Sequence, residues 1–63
     1  MGRDNWTRDA DQDTGERGYS REYDRGGYTE KEFVGDHESH WVEETYRDGT
    51  TYRIDDDGTV TKQ

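Results

Sequence analysis

The chain contains no cysteine. Disulfides, thiolate metal sites and thiol catalysis are excluded together, and so is the usual framework of a small secreted domain. Leucine is absent too, and alanine occurs once, at Ala10. The branched aliphatic residues are Val34, Val42, Ile54 and Val60. Most of the hydrophobic set is aromatic: two Trp, five Tyr and one Phe. Any core must therefore be built largely from rings whose polar edges stay wet. No apolar run approaches the length of a signal peptide or a membrane span, which leads us to expect a soluble, cytoplasmic chain without membrane contact.

Charge is abundant but one-sided. Charged residues make up 41% of the 63 positions, hydrophobic residues 22%, and the net charge is −8. Lysine occurs only at Lys31 and Lys62, against seven arginines. Residues 1–28 hold five bases against seven acids, and residues 29–63 hold four against ten. Such a surface repels nucleic acid and anionic membranes and attracts basic proteins. The length allows one domain at most.

The strongest local signal lies between His40 and Lys62. Asp-Gly pairs at Asp48-Gly49 and Asp57-Gly58, nine residues apart, separate three runs rich in Thr, Tyr, Val and Ile. Asp-Gly between β-formers marks a hairpin. Two-residue loops would put Val42 and Tyr46 on the face opposite Tyr52 and Ile54. Three-residue loops, Arg47-Asp48-Gly49 and Asp56-Asp57-Gly58, put Val42, Tyr46, Tyr52, Ile54 and Val60 on one face. Trp41, Glu43, Thr45, Arg53 and Asp55 then share the other. A one-residue slip exchanges faces, so the sorting selects the three-residue loops, with glycine in the left-handed position of each. The same register sets Glu43 opposite Arg53, a cross-strand ion pair.

Residues 1–26 show neither helical nor strand periodicity, and their composition is that of a flexible, largely disordered arm. Gly18-Tyr19-Ser20 recurs nine residues later as Gly27-Tyr28-Thr29. The spacing favours a further strand over residues 27–34, with Gly35 to Ser39 as a loop; a helical turn capped by Thr29 and Glu32 is the rival. The expected fold is thus an all-β mini-domain. It is a three-stranded antiparallel meander within residues 27–63, four-stranded if residues 27–34 join it. A lone sheet of this size needs cover on its apolar face. The region of Trp6, Tyr19, Tyr23, Tyr28 and Phe33 could supply it, as could a second copy or a partner.

Motifs for chemistry are sparse. Asp55, Asp57 and Gly58 partly match a calcium loop, but Arg53 occupies a ligand position and the closing acid is missing. His37 and His40 beside Asp36 and Glu38 could touch zinc, yet their spacing is one short of HExxH and no third ligand is evident. Ser39 beside them does not make a triad, which is defined by geometry and not by adjacency. Arg17-Gly18-Tyr19 and Arg25-Gly26-Gly27-Tyr28 resemble fragments of the RGG and Tyr-rich tails of RNA-binding proteins. Those tails work through excess positive charge, whereas acids outnumber bases here. We expect no metal, no cofactor and no catalysis.

The functional expectation is a non-enzymatic acidic module that binds a basic protein surface. One form is an inhibitor whose carboxylates stand in for phosphates in a nucleic-acid-binding groove. Its apolar contacts would be Tyr46, Tyr52, Ile54 and Val60, or Trp41 on the other face. Its acidic contacts would be Glu43, Glu44, Asp55, Asp56 and Asp57. Self-association through the apolar face or a sheet edge is compatible with this. The alternative is a hydrophilic stress-protective or halophilic structural protein, in keeping with the mean hydropathy of −1.76.

Overall fold

A computed structural model describes residues 5–63. They form one antiparallel sheet of six strands: β1 (Thr7–Ala10), β2 (Arg17–Asp24), β3 (Tyr28–Gly35), β4 (His40–Tyr46), β5 (Thr51–Asp55) and β6 (Val60–Lys62). Each strand pairs with its sequence neighbours, so the order is a simple meander, and no helix occurs among the described residues.

The all-β antiparallel expectation holds, but six strands replace three or four. Residues 27–34 fall in β3, and the capped helical turn does not form. Two further strands, β1 and β2, occupy the stretch whose composition suggested a flexible arm; its first four residues lie outside those described. The reason lies in how β2 is satisfied. Tyr19, Arg21 and Tyr23 alternate with Gly18, Ser20 and Glu22, and the rings are covered by guanidinium groups and not by aliphatic side chains. Hydrophobic periodicity is blind to that pattern.

The last two hairpins have the expected register. Val42 faces Ile54, Glu44 faces Tyr52, Ile54 faces Val60 and Arg53 faces Thr61. Both loops have three residues. Tyr46 N–H donates to Thr50 O at 2.8 Å and Asp55 N–H to Thr59 O at 2.9 Å. Gly49 and Gly58 have φ of 89° and 91°. Each turn aspartate also works: Asp48 accepts from Thr50 N–H and Asp57 from Thr59 N–H, both at 2.9 Å. The β3–β4 connection repeats the loop without the Asp-Gly signature. Gly35 N–H donates to Ser39 O at 2.7 Å, and Glu38 takes the left-handed position with φ 73°.

The core lies on the face opposite the aliphatic stripe. Phe33 and Trp41, paired across β3 and β4, are 0% and 5% exposed and stack with centroids 4.9 Å apart. Burying a Phe ring contributes roughly 3 kcal/mol. The β1–β2 loop curls over this pair. Asp11, 2% exposed, accepts from Trp41 Nε1 at 3.0 Å and from Arg53 Nη2 at 3.3 Å. Arg53 itself lies over the indole at 4.6 Å. We call this the inner face. Val42, Tyr46, Tyr52, Ile54 and Val60 share the outer face, which no second layer covers among the described residues. Tyr19, Tyr23 and Tyr28 extend this outer face as strand residues, Phe33 lies on the inner face, and the Trp6 ring lies against Arg21.

One backbone contact depends on glycine. Gly18 faces Gly35 across β2 and β3, under the Phe33 ring. A Cβ on Gly18 would stand 2.2 Å from Val34 O and 2.6 Å from Gly35 Cα, backbone atoms that cannot yield. At Gly58 a Cβ meets nothing within 4 Å, so only the positive φ resists substitution. Gly18→Ala should therefore cost roughly 3 kcal/mol or more, and Gly58→Ala roughly 1 kcal/mol. Glu38→Gly should be neutral or stabilising by up to about 1 kcal/mol, since it removes left-handed strain. Urea midpoints of the three variants test this; an equal loss at Gly18 and Gly58 would contradict the close approach.

Candidate functional site

The structure divides the residues singled out by sequence between three places. Trp41, Glu43 and Asp55 lie on the inner face; Glu44, Tyr46, Tyr52, Ile54 and Val60 lie on the outer face; Asp56 and Asp57 form the β5–β6 loop. Trp41 is buried, with its indole enclosed by Phe33, Arg53 and Asp11. Tyr46 and Val60 remain accessible, at 37% and 60%. Arg53 stands opposite Glu43 as expected, but the ion pair does not form. Its guanidinium turns to Asp11 (3.3 Å), Asp13 (3.4 Å) and Asp55 (3.1 Å), which also hold it over the indole.

Meander topology gathers acids that are far apart in sequence. Alternate connections of a meander lie at one end of the sheet. The β1–β2, β3–β4 and β5–β6 connections therefore share an end. They bring together Asp11, Asp13 and Glu16, then Asp36 and Glu38, then Asp56 and Asp57, with Asp55 at the close of β5. The opposite end carries Arg25 and Arg47 beside Asp24 and Asp48.

The three acidic loops are fastened to the sheet and to one another. Glu16 accepts from His37 N–H at 2.8 Å and from the Ser39 hydroxyl, joining the first loop to the second. Arg8 forks onto Asp36 at 2.7 and 3.1 Å. His40 lies between Asp56 and Glu32, with one ring nitrogen 3.0 Å from each carboxylate. Carboxylates only accept when ionised, so the protonated ring, with two N–H donors, is the form that satisfies both. The Asp56 and Glu32 hydrogen bonds accordingly raise the His40 pKa above its ordinary 6.5. Glu32 also accepts from Tyr23 Oη and Arg21 Nε; the His40 bond, followed by these two, holds it below the usual carboxylate range.

Among the described residues, every carboxylate whose pKa departs from its ordinary value departs downward. For Asp9 and Asp11 burial pushes the other way, but hydrogen bonds outweigh it. Ser20 and Lys31 serve Asp9; Asp13 N–H and the Trp41 indole serve Asp11. These groups are anions at neutral pH, suited to holding cations. A recess of about 220 Å³ on the inner face contains Lys31, Glu43 and Arg53, and both of its cations are already paired, Lys31 with Asp9 and Arg53 with Asp11. No group of three or more His, Asp or Glu among the described residues is placed to hold a metal ion. The histidines considered for zinc are separated in role: His40 is engaged on the sheet, and His37 is exposed in its loop.

Sequence reasoning found Asp55, Asp56 and Asp57 but missed the acids that join them, because β1 and β2 had not been recognised. It gave Tyr28 only as possible cover and Asp48 only as a turn residue, whereas Tyr28 stacks on Tyr46 with centroids 5.1 Å apart and Asp48 lies beside Tyr46. Once the strands are counted, the parity of the turns would have located both groups.

The pH dependence follows from these directions. A raised histidine pKa contributes stability that is present below 6.5 and is lost as pH rises through the raised value. Lowered carboxylates contribute stability present above their ordinary values and lost as pH falls through the lowered ones. Stability should therefore peak in the mildly acidic range, between the carboxylate values and about pH 6.5. His40→Gln should abolish the decline above that range while leaving the acid limb in place. Urea midpoints measured across pH check this; an unchanged profile in the variant would show that His40 does not bridge.

No protein-family model matches the chain, and no curated protein or solved structure matches it either.

Proposed function

We propose that the protein is a non-enzymatic binding module for a basic protein surface. The observation that carries this reading is the gathering of acids from three connections at one end of the sheet. Preorganised carboxylates on short loops lose little entropy on binding. The excess of negative charge steers a basic partner and repels nucleic acid. The outer face beside this end adds Ile54 and Val60 as apolar contact. Surface carboxylates can stand in for phosphates on a basic groove, which makes an inhibitor of a nucleic-acid-binding protein the specific form we favour.

A second reading is favoured by the small core, in which Phe33 and Trp41 are the buried hydrophobic side chains among the described residues. Under it the chain is a salt-adapted structural or protective protein with no specific ligand. The two readings differ in their response to salt. A binding module retains a defined partner at low salt and releases it as salt is raised, because screening weakens exposed charge contacts.

The test uses the immobilised full chain at low salt. A nucleic-acid-binding protein should be retained, eluted by molar KCl and displaced by duplex DNA. Asp56→Asn with Asp57→Asn should weaken its retention severalfold. Retention that ignored both salt and DNA would refute the charge-mimic form. No retention at low salt, together with folding that sharpens in KCl, would favour the salt-adapted protein instead.

A further inference from the structure

Four arginines share one arrangement: a guanidinium lies on an aromatic ring and pairs with a carboxylate at its edge. Arg8 lies over Tyr19 at 4.7 Å and pairs with Asp36 at 2.7 Å. Arg25 lies over Tyr23 at 4.3 Å and pairs with Glu30 at 2.8 Å. Arg21 lies over Trp6 at 4.4 Å and Tyr23 at 5.0 Å and pairs with Glu32 at 3.3 Å. Arg53 does the same with Trp41 and Asp11 on the inner face. A planar guanidinium can satisfy a ring face and a carboxylate at once, which a lysine ammonium does less well.

The outer face of β4 and β5 holds the rings and carboxylates of this arrangement without the cation. Tyr46 and Tyr52 meet at 80° with centroids 6.0 Å apart, making a corner. Asp48 and Thr50 complete an open recess of about 390 Å³. The corner is preformed. Tyr28 stacks behind Tyr46, and Tyr46 Oη donates to Glu44 at 2.9 Å. Among the described residues no cation stands over Tyr28, Tyr46 or Tyr52, and none pairs with Glu44 or Asp48. Lys62 faces Tyr52 across β6 without covering its ring, and Arg47 turns away to Gly26 O at 3.5 Å. Glu44 also faces Glu30 in register, two like charges directly opposed, which a further positive charge would relieve.

We propose that the Tyr46–Tyr52 corner is a subsite for an arginine side chain of the partner. The guanidinium stacks on the Tyr46 or Tyr52 face and donates to Glu44 or Asp48. This rests on the reading of the protein as a module for basic surfaces and names the side chain it recognises away from the acidic end.

The probes are an oligo-arginine peptide and an oligo-lysine peptide of equal length, titrated at low salt into the isotope-labelled full chain. The ring resonances of Tyr46 and Tyr52 should shift, and oligo-arginine should bind more tightly than oligo-lysine. Tyr46→Leu, checked for a native amide spectrum, should weaken oligo-arginine binding roughly two- to fivefold and leave oligo-lysine little changed. Glu44→Gln should narrow the same preference without removing a ring. If both peptides shift only the loops at the acidic end and the two rings stay unmoved, the subsite is refuted while the docking reading survives. If neither peptide shifts any resonance, both fail.

Discussion

The hydrogen bond from the Trp41 indole to Asp11 is the constraint on which the rest of the sheet depends. A single-layer sheet has no second layer to keep its rings dry. Here the first connection supplies that cover, and it can do so only if the sheet curls far enough for β1 to approach β5. Asp11 meets both sides of the arrangement: it accepts from the indole and from Arg53, and its own loop is closed by Asp13 N–H at 2.8 Å. Arg53 in turn lies over the same indole. The buried carboxylate is stabilised by donors from three directions, the indole, the Arg53 guanidinium and the Asp13 N–H. Among the described residues no buried side-chain polar atom is left without a partner.

The sequence made the two C-terminal hairpins legible because Asp48 and Asp57 each perform two tasks. Each precedes a glycine with positive φ, and each takes the amide hydrogen two residues on. The β3–β4 loop has the same backbone form but divides those tasks differently. Glu38 accepts the left-handed conformation, and Glu16, from another connection, takes the His37 amide hydrogen. That long-range solution leaves no local signature. The face was misread for a related reason. Counting aliphatic residues favours the side of Val42, Ile54 and Val60, yet the enclosed rings are Phe33 and Trp41 on the other side. Their cover is a polar loop and an arginine, which no hydrophobic count registers. Of the candidate site, the run Asp55–Asp57 was visible as a charge cluster. The acids of the first and second connections were not, because their proximity is a property of six strands and not of three.

The same economy of cations shapes the surface. Arginines that could neutralise the chain are committed to rings and carboxylates within the sheet. Arg17, Arg47 and Lys62 remain exposed, but acids outnumber them at the gathered loops. Complementarity of this kind governs encounter and partner choice more than it does affinity. The ion pairs at the surface are individually weak and screened by salt. The order of the loops consequently rests on their number and mutual placement, with the Trp41 cluster as the fixed point.

The fold is held at Trp41 and Phe33, with β1 and β2 as integral strands. Amide hydrogen exchange on the full chain at low salt tests it most directly. Protection should be greatest where β2, β3 and β4 pair, around Ser20, Phe33 and Trp41, and should extend to the Asp11 amide, which donates to Glu16 O at 2.8 Å. Slow exchange confined to β4, β5 and β6, with β1 and β2 exchanging as an unfolded chain does, would contradict the account. It would then place the stability of the protein in the two Asp-Gly hairpins alone.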